Sequence, residues 1–241
     1  MKILITNDDS ISSPVLVPLA RWAKKLGEVV VIAPKYEQSG KSHGINIITA
    51  SEMKKFDFVD GIEAYAVDST PADCVRYALI GLGLKFDLVI SGVNKGFNLG
   101  KDINYSGTAG AVFESAAEGI NSIALSTSKE SFDDTVANLD KIYSFITDNK
   151  LFDLCRLYNV NVPVNTNGEI KITRQGGPFY RDKYIDQGND MYLPVGEPVY
   201  NLTNDLSIDI DAVMNGYISI SPLTVDRTDV SAFNKLSKQL I

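Results

Sequence analysis

The sequence predicts an α/β fold in which helices cover both faces of a mostly parallel sheet. Short β-branched runs alternate with stretches of helical apolar spacing through the first 150 residues. Strands and helices that alternate at this pitch form right-handed βαβ units, which place parallel strands in one sheet. With 241 residues, 44% of them apolar and 22% charged, the chain is long enough to bury a sizeable core and too apolar to be disordered.

The first half of the chain supplies these strands and helices. Residues 2–6 (KILIT) predict a buried strand, and helical spacing over residues 14–26 predicts the helix that follows it. Pro18 fits that helix if its regular part starts at or after Val15, because the first turn has no intrahelical N–H partner. Pro71 opens another helix, which we expect to extend through residue 82. Further strands are predicted at residues 29–33, 45–49, 62–67, 87–91 and 122–126, and further helices at residues 107–118 and 132–148.

The second half differs in composition and is rich in Gly, Pro, Asn and Tyr. We expect its short alternating strands to form hairpins rather than crossovers. These strands are predicted at residues 169–173, 192–195 and 217–221, and they follow an apolar run at residues 160–162. Residues 230–240 predict a short helix with one apolar stripe, which either packs on its own sheet or is buried against a partner chain. We interpret residues 1–241 as a single α/β domain, with the active site in residues 1–150 and oligomerisation surfaces in residues 151–241.

Charge and apolar patterning exclude several kinds of partner. Acidic residues outnumber basic residues 30 to 23, and the net charge of −7 disfavours binding to nucleic-acid polymers and anionic membranes. The longest apolar stretch, residues 77–84, is shorter than the ~20 residues of a membrane-spanning helix. Asp8 and Asp9 interrupt the N-terminus before a secretory apolar region can form, and Cys74 and Cys155 have no disulfide or metal-site spacing. We therefore expect a cytoplasmic protein.

Polar side chains follow three of the predicted strands. Because ligands bind beyond the carboxyl ends of the strands in an open parallel sheet, these side chains are the candidate site residues. Two carboxylates (Asp8 and Asp9), the Ser39 hydroxyl and the Asn94 amide form a hard oxygen donor set that suits Mg²⁺ or Mn²⁺. Two adjacent aspartates can also cap a helix or lie on a solvated surface. The single histidine, His43, makes a zinc site improbable.

A small-residue turn at residues 106–111 (SGTAGA) leads into a predicted helix. Backbone N–H groups at such a helix start attract an anion such as phosphate, and the hydroxyls of Ser106 and Thr108 add donors. The alternative is a plain helix cap. Gly40-Lys41-Ser42 is not the end of a P-loop, because position 35 holds lysine where that motif needs glycine, and no dinucleotide fingerprint follows the first strand.

Eight blocks together resemble those of the SurE family, the survival-protein E nucleotidases. They are residues 3–9 (ILITNDD), 33–40 (APKYEQSG), 68–75 (DSTPADCV), 91–100 (SGVNKGFNLG), 105–111 (YSGTAGA), 159–163 (NVNVP), 173–176 (TRQG) and 216–223 (GYISISPL). They run over nearly the whole chain, in order and at similar spacing. The sequence departs from the family pattern at Ser10, where glycine is usual, and in residues 182–204.

The resemblance implies a Rossmann-like three-layer α/β/α sandwich with C-terminal β-hairpin extensions. It also implies a metal-dependent phosphatase that hydrolyses nucleoside 5′- and 3′-monophosphates, and a homodimer or homotetramer built through the C-terminal hairpins and an exchanged C-terminal segment. The implied ligands of one Mg²⁺ or Mn²⁺ per subunit are Asp8, Asp9, Ser39 and Asn94. The implied phosphate-binding residues are Asn98, Ser106, Gly107 and Thr108.

The mechanistic hypothesis is phosphomonoester hydrolysis in which Asp8 or Asp9 orients or deprotonates the attacking water. Two alternatives stay open: a phosphatase for short-chain polyphosphate or another phosphomonoester, and a non-catalytic nucleotide- or anion-binding regulatory module. The adjacent aspartates favour an enzyme, because a pure anion binder gains nothing from two carboxylates beside its phosphate. The role of His43 is open, since a lone histidine in a loop is more often a hydrogen-bonding or surface residue than a catalytic one.

Overall fold

A computed structural model describes residues 1–240, and its centre is a nine-stranded sheet with the order β3-β4-β2-β1-β5-β6-β7-β11-β8. The strands of this sheet are β1 (Lys2–Thr6), β2 (Glu28–Pro34), β3 (Met53–Lys55), β4 (Glu63–Val67), β5 (Leu88–Lys95), β6 (Asn121–Thr127), β7 (Leu157–Val162), β8 (Ile170–Ile172) and β11 (Ile218–Pro222). The strands β9 (Tyr180–Gly188) and β10 (Met191–Pro198) form a separate antiparallel hairpin. The helices are α1 (Leu16–Lys24), α2 (Pro71–Arg76), α3 (Gly107–Ala117), α4 (Asp133–Asp148), α5 (Asp209–Met214) and α6 (Val230–Leu240).

The six central strands, β4-β2-β1-β5-β6-β7, are all parallel. From β1 the chain adds strands outward on one side through β2 and β4, and then returns to add β5, β6 and β7 on the other side. This is the doubly wound order, in which the direction of winding reverses between β1 and β5. The reversal opens a crevice at the carboxyl ends of these two strands, since the connections leave them in opposite directions.

Helices cover both faces of the sheet, which confirms the predicted three layers. In β1, Ile3 and Ile5 face the core cluster that includes residues of α1 and α4, whereas Leu4 faces the cluster that includes residues of α2 and α3. All three side chains are fully buried. A strand buried on both faces needs a continuous apolar run rather than an alternating one, and residues 3–5 supply it.

The ends of the helices follow the local chemistry. Regular helix α1 begins at Leu16, so Pro18 lies in the first turn, as predicted. Helix α2 begins with Pro71 after the Thr70 cap, whose hydroxyl accepts the Asp73 N–H at 3.1 Å. These contacts satisfy donors that the first turn of a helix leaves without backbone partners. Among the helices of residues 1–240, none has both the length and the apolar character required to cross a membrane.

The predicted strand at residues 45–49 is wrong. Asn46 folds this segment into a turn: its side-chain carbonyl accepts the N–H groups of Ile48 and Thr49, each at 3.2 Å, and its amide donates to the Thr49 carbonyl at 3.1 Å. Local side-chain bonds of this kind compete with a strand ladder. The edge strand pairing with β4 is instead β3, at Met53–Lys55.

The prediction of hairpins throughout the second half is only partly right. Strands β9 and β10 form a hairpin, and β10 includes the predicted residues 192–195. Strand β8, however, is parallel to β11, with α5 in the connection between them, and β11 pairs antiparallel with β7. Residues of the second half therefore extend the central sheet. Short strands do not show from their own pattern whether a neighbour is parallel or antiparallel.

Candidate functional site

The candidate site is a cleft of about 440 Å³ where the winding of the sheet reverses. Asp8 and Asp9 follow β1, and Asn94 lies near the end of β5, which continues past the predicted residue 91 through an irregularity between Ser91 and Asn94. A second cavity of about 500 Å³ lies beside it, but none of the described residues that line it is acidic. The acidic cleft is therefore the candidate for metal-assisted chemistry.

Six of the eight predicted site residues line this cleft, and the remaining two adjoin it. The lining residues are Asp8, Asp9, Ser39, Asn94, Asn98 and Ser106. Gly107 lies against Asp8, since a Cβ at Gly107 would come within 3.0 Å of the Asp8 Cβ. Thr108 is fully buried and donates its hydroxyl hydrogen to Asp8 Oδ1. The structure thus brings residues from three separate loops to one place.

Asp8 is the most buried acid of the cleft, with 5% of its surface exposed. Burial and, to a smaller extent, the charge of Asp9 raise the pKa of its carboxyl to about 6, against the opposing effect of the Thr108 hydrogen bond. A carboxylate that is costly to ionise in the metal-free protein is suited to binding a cation, because the cation offsets that cost.

Asp9 is half-buried and also has a raised pKa, mainly because of burial, with the Glu37 carboxylate adding to the effect. Its Oδ2 accepts the backbone N–H of Lys95 at 3.1 Å. Among the described residues, neither Asp8 nor Asp9 forms an ion pair with a basic side chain. The positive charge of Lys95 lowers the pKa of Asp9, but it does not form an ion pair with either aspartate.

Ser39 and Asn94 complete the oxygen-rich side of the cleft. The Ser39 hydroxyl donates to Glu37 at 2.6 Å, which leaves its lone pairs for a ligand. The Asn94 amide donates to the Gly96 carbonyl at 2.7 Å, so its oxygen is the atom left for a cation. No cluster of three or more His, Cys, Asp or Glu side chains with metal-site geometry occurs within residues 1–240. The donor set fits a hard cation such as Mg²⁺ or Mn²⁺ and not zinc.

The start of α3 lies next to Asp8 and contributes Ser106 to the lining of the cleft. Ser106 caps this eleven-residue helix, and its hydroxyl oxygen accepts the Ala109 N–H at 3.0 Å. The cap uses one lone pair and leaves the Ser106 hydroxyl hydrogen available to a ligand. A helix start carries partial positive charge, so this side of the cleft is complementary to phosphate.

Asn98 is held by buried polar side chains that sequence reasoning did not identify as functional. Its amide donates to Ser126 Oγ at 2.7 Å, and its backbone N–H donates to Asn161 Oδ1 at 2.9 Å. The Asn98 carbonyl accepts the side-chain amides of Asn159 at 2.8 Å and Asn161 at 3.0 Å. The detectable signal was two asparagines at alternate positions of an otherwise apolar strand, because buried amides need partners.

Asp209 is a second residue that sequence reasoning missed. Its buried carboxylate accepts three backbone N–H groups, from Gly100 at 2.8 Å, Gly176 at 2.9 Å and Ile210 at 2.8 Å. Gly100 closes the loop that starts at Asn98, so Asp209 ties this side of the cleft to the second half of the chain. Nothing in the local pattern around Asp209 indicates a partner more than a hundred residues away.

Fold and site together define a doubly wound α/β protein with an acidic cleft. Oxygen donors line this cleft, and the N-terminus of a helix that suits an anion such as phosphate lies beside them. The family model described as "Survival protein SurE" matches residues 3–182. The chain belongs to the SurE family. A relative from Natranaerobius thermophilus named 5′-nucleotidase SurE is 37% identical to this chain over 98% of each chain. A relative of the same name from Petrotoga mobilis is 35% identical over 100% of this chain and 99% of the relative. The crystal structure of the SurE protein from Aquifex aeolicus matches with a TM-score of 0.81 and 32% identity over 99% of each chain.

The raised pKa of Asp8 predicts that Asp8→Asn stabilises the metal-free protein near neutral pH. The folded protein holds this proton up to about pH 6, whereas the unfolded chain releases it near its ordinary value of 3.8. Ionised Asp8 therefore reduces stability as the pH rises from about 4 to about 6, and the loss is complete above that range. Asp8→Asn should raise the free energy of unfolding by up to about 3 kcal/mol at about pH 7.5 and by much less at about pH 4.

Urea unfolding in EDTA at the two pH values measures this difference. The exposed Asp57 provides the control, since Asp57→Asn should leave stability nearly unchanged at both. A variant Asp8→Asn that is no more stable than the parent at about pH 7.5 contradicts the electrostatic account of this site.

Ser10 has a backbone φ of +85°, in the left-handed region that favours glycine. Replacing it with glycine should therefore relieve backbone strain. We expect Ser10→Gly to raise the free energy of unfolding by about 0.5–1 kcal/mol, whereas Ser12→Gly, at an exposed position without positive φ, should lower it by a similar amount. Urea unfolding of both variants checks the prediction, and a less stable Ser10→Gly protein refutes it.

Proposed function

We propose that the chain is a metal-dependent phosphatase that hydrolyses nucleoside 5′-monophosphates, and also 3′-monophosphates, to nucleoside and phosphate. The observation that carries the proposal is the pair Asp8–Asp9, which forms no ion pair among the described residues and shares one cleft with Ser106 at the start of α3. The names of the relatives, 5′-nucleotidase SurE, support the same activity and substrate class.

The oxygen atoms of Asp8, Asp9, Ser39 and Asn94 would hold one Mg²⁺ or Mn²⁺. When bound, the cation supplies positive charge to the phosphoryl oxygens and lowers the pKa of a water molecule. Thr108 keeps Asp8 oriented, because its hydroxyl donates to the carboxylate from within the protein. We therefore assign Thr108 to the support of a metal ligand, in addition to the phosphate role that the family resemblance implies.

The phosphoryl group would lie against the start of α3. Ser106 contributes its hydroxyl, and Gly107, which has no side chain, lets the start of the helix pack closely against Asp8. Asn98 uses one side-chain amide hydrogen for Ser126, so its second amide hydrogen and its side-chain oxygen remain for the substrate. Donors fixed before the substrate arrives stabilise charge on the phosphoryl oxygens without a reorganisation cost in the transition state.

The attacking water would be oriented by Asp9. Asp8 is nearly buried and already holds the Thr108 hydroxyl, whereas Asp9 is more exposed and uses only Oδ2, for the Lys95 N–H. Asp9 Oδ1 is therefore the atom that would accept a proton from water. The bond between phosphorus and the nucleoside oxygen would break on the opposite side of the phosphorus, and that oxygen would take a proton from solvent to give the nucleoside hydroxyl.

A phosphatase acting on short-chain polyphosphate remains the second candidate. Lys95 and Lys129 line the cleft, and two lysines beside a phosphate site suit a substrate that carries more than one phosphate. A substrate panel separates the candidates, because a nucleotidase should prefer AMP to tripolyphosphate, and a non-catalytic anion-binding module should release phosphate from neither.

Asp9→Asn tests the catalytic assignment directly. We expect hydrolysis of AMP in saturating Mn²⁺ to fall by at least about 100-fold, because the variant loses both a charged cation ligand and the proposed proton acceptor. Released phosphate is measured for AMP, 3′-AMP and tripolyphosphate, with and without EDTA. Asp57→Asn, which removes an exposed carboxylate away from the cleft, is the matched control and should keep the parental rate. Parental activity of Asp9→Asn, or EDTA-resistant hydrolysis by the parent, refutes the proposal.

We also propose that the protein forms a homodimer or homotetramer through its second half. Helix α6 has no buried residue, and its apolar stripe is exposed: Val230 by 57%, Phe233 by 59%, Leu236 by 52% and Leu240 by 79%. The hairpin β9–β10 also exposes large apolar side chains, including Tyr184, Met191 and Tyr192. Apolar surface on two extensions supports burial against another copy of the chain.

Removing residues 228–241 should therefore lower the mass of the protein in solution, as measured by light scattering. Phe233→Asp should weaken the same assembly, because it puts a charge into the apolar stripe, whereas Lys235→Ala on the polar side should not. An unchanged mass for the truncated chain excludes α6 as an assembly element.

A further inference from the structure

The loop that connects β2 to β3, residues 35–52, carries Ser39 and has no regular strand or helix. Loops of this length are uncommon inside compact domains unless they have a function. We call it the Ser39 loop. On the side nearest the metal site it is held by one backbone bond, from the Gln38 N–H to the Asp8 carbonyl at 2.8 Å. The position of Ser39 therefore depends on what holds the rest of the loop.

The middle of the Ser39 loop packs directly on α3. The Ser42 N–H donates to the Tyr105 carbonyl at 3.0 Å, and the Ser42 hydroxyl donates to the Asn104 carbonyl at 2.6 Å. Gly110 permits this contact, because a Cβ at that position would lie 2.0 Å from the Ser42 carbonyl oxygen. The loop thus passes over the helix whose start forms the phosphate side of the cleft.

Beyond Ser42, one buried acid joins the loop to two helices. Glu114 of α3 is 9% exposed, and its two carboxylate oxygens have different partners. One contacts His43 Nε2 of the Ser39 loop at 2.7 Å, and the other accepts Arg76 Nη1 of α2 at 2.9 Å. Together with the His43 hydrogen bond, Arg76 lowers the pKa of Glu114 despite the burial. The Glu114 carboxylate is therefore charged, and each of its two oxygens has a hydrogen-bond partner.

We propose that Arg76, Glu114 and His43 form a positioning chain that sets the Ser39 loop at the distance from which Ser39 reaches the cation held by Asp8 and Asp9. This inference rests on the proposed function. Burying an unpaired acid lowers the stability of a protein, and an apolar residue in place of the buried ion pair would stabilise the fold at least as well. Unlike an apolar residue, Glu114 forms directional hydrogen bonds. These bonds fix the distance of His43, four residues beyond Ser39, from the helices α2 and α3.

The positioning chain of Arg76, Glu114 and His43 contacts none of the proposed metal ligands. Its loss should therefore affect metal binding differently from the chemical step. With His43 removed, the loop occupies more positions, and the cation must select the competent one. We expect His43→Ala to weaken Mn²⁺ affinity about tenfold. At saturating Mn²⁺ the turnover number for AMP should stay within about twofold of the parent, because the bound cation restores the position of Ser39.

The experiment titrates Mn²⁺ into the full chain and follows free Mn²⁺ by electron paramagnetic resonance, which needs no turnover. His43→Gln keeps an N–H donor for Glu114 and should restore most of the affinity. Lys41→Ala removes an exposed side chain of the same loop and should bind Mn²⁺ as the parent does. In a double-mutant cycle, His43→Ala combined with Glu114→Gln should lose little more affinity than either change alone, because both break one chain.

Two results overturn the inference while leaving the proposed function intact: parental Mn²⁺ affinity in His43→Ala, or an equal loss of affinity in Lys41→Ala. A third result, a parent chain that neither binds Mn²⁺ nor hydrolyses AMP, refutes the proposed function and this inference together. Thermal unfolding in EDTA accompanies each titration. If Glu114→Gln does not fold, His43→Ala still decides the question, because it leaves Glu114 paired with Arg76.

Discussion

The two adjacent negative charges of Asp8 and Asp9 are the constraint on which the rest of the site depends. Two adjacent carboxylates lie at the end of the central strand, one nearly buried, and no basic side chain among the described residues pairs with either. Another buried acid of this region, Glu114, is paired with both a histidine and an arginine, whereas the buried Asp209 accepts three backbone N–H groups. Basic side chains thus pair with a buried acid elsewhere in this region but not with the two aspartates, and this contrast supports the proposed cation site.

The doubly wound topology explains why the two aspartates lie beside the N-terminus of α3, which suits an anion such as phosphate. Because winding reverses between β1 and β5, the loops that follow these strands diverge and leave a crevice between them. The second half of the chain then holds the crevice in shape through buried polar bonds. Asn161 and Asp209 bind backbone groups at either end of the loop that starts at Asn98. Residues distant in sequence therefore position the loop without lining the cleft.

The sequence predicted the parts of the structure that are set locally. A buried apolar strand followed by Asp8 and Asp9 locates a cleft, because strand ends in a parallel sheet share one edge. The pattern failed where a single side chain redirects the backbone, as Asn46 does at residues 45–49. The pattern also did not identify hydrogen-bond partners. Alternation shows that Asn159 and Asn161 face inward, but it does not show which groups their amides bind. Such partners depend on the tertiary fold.

The polar groups around the cleft indicate that the site is built to hold its shape before a ligand binds. Thr108 orients Asp8, the Lys95 N–H orients Asp9, and Asn94 turns its amide hydrogens away from the cleft to the Gly96 carbonyl. Each contact directs oxygen lone pairs toward one space, although ionised carboxylates there reduce the stability of the empty protein. Burying these carboxylates thus lowers the free energy of unfolding relative to an apolar core, and the proposed cation would offset that cost.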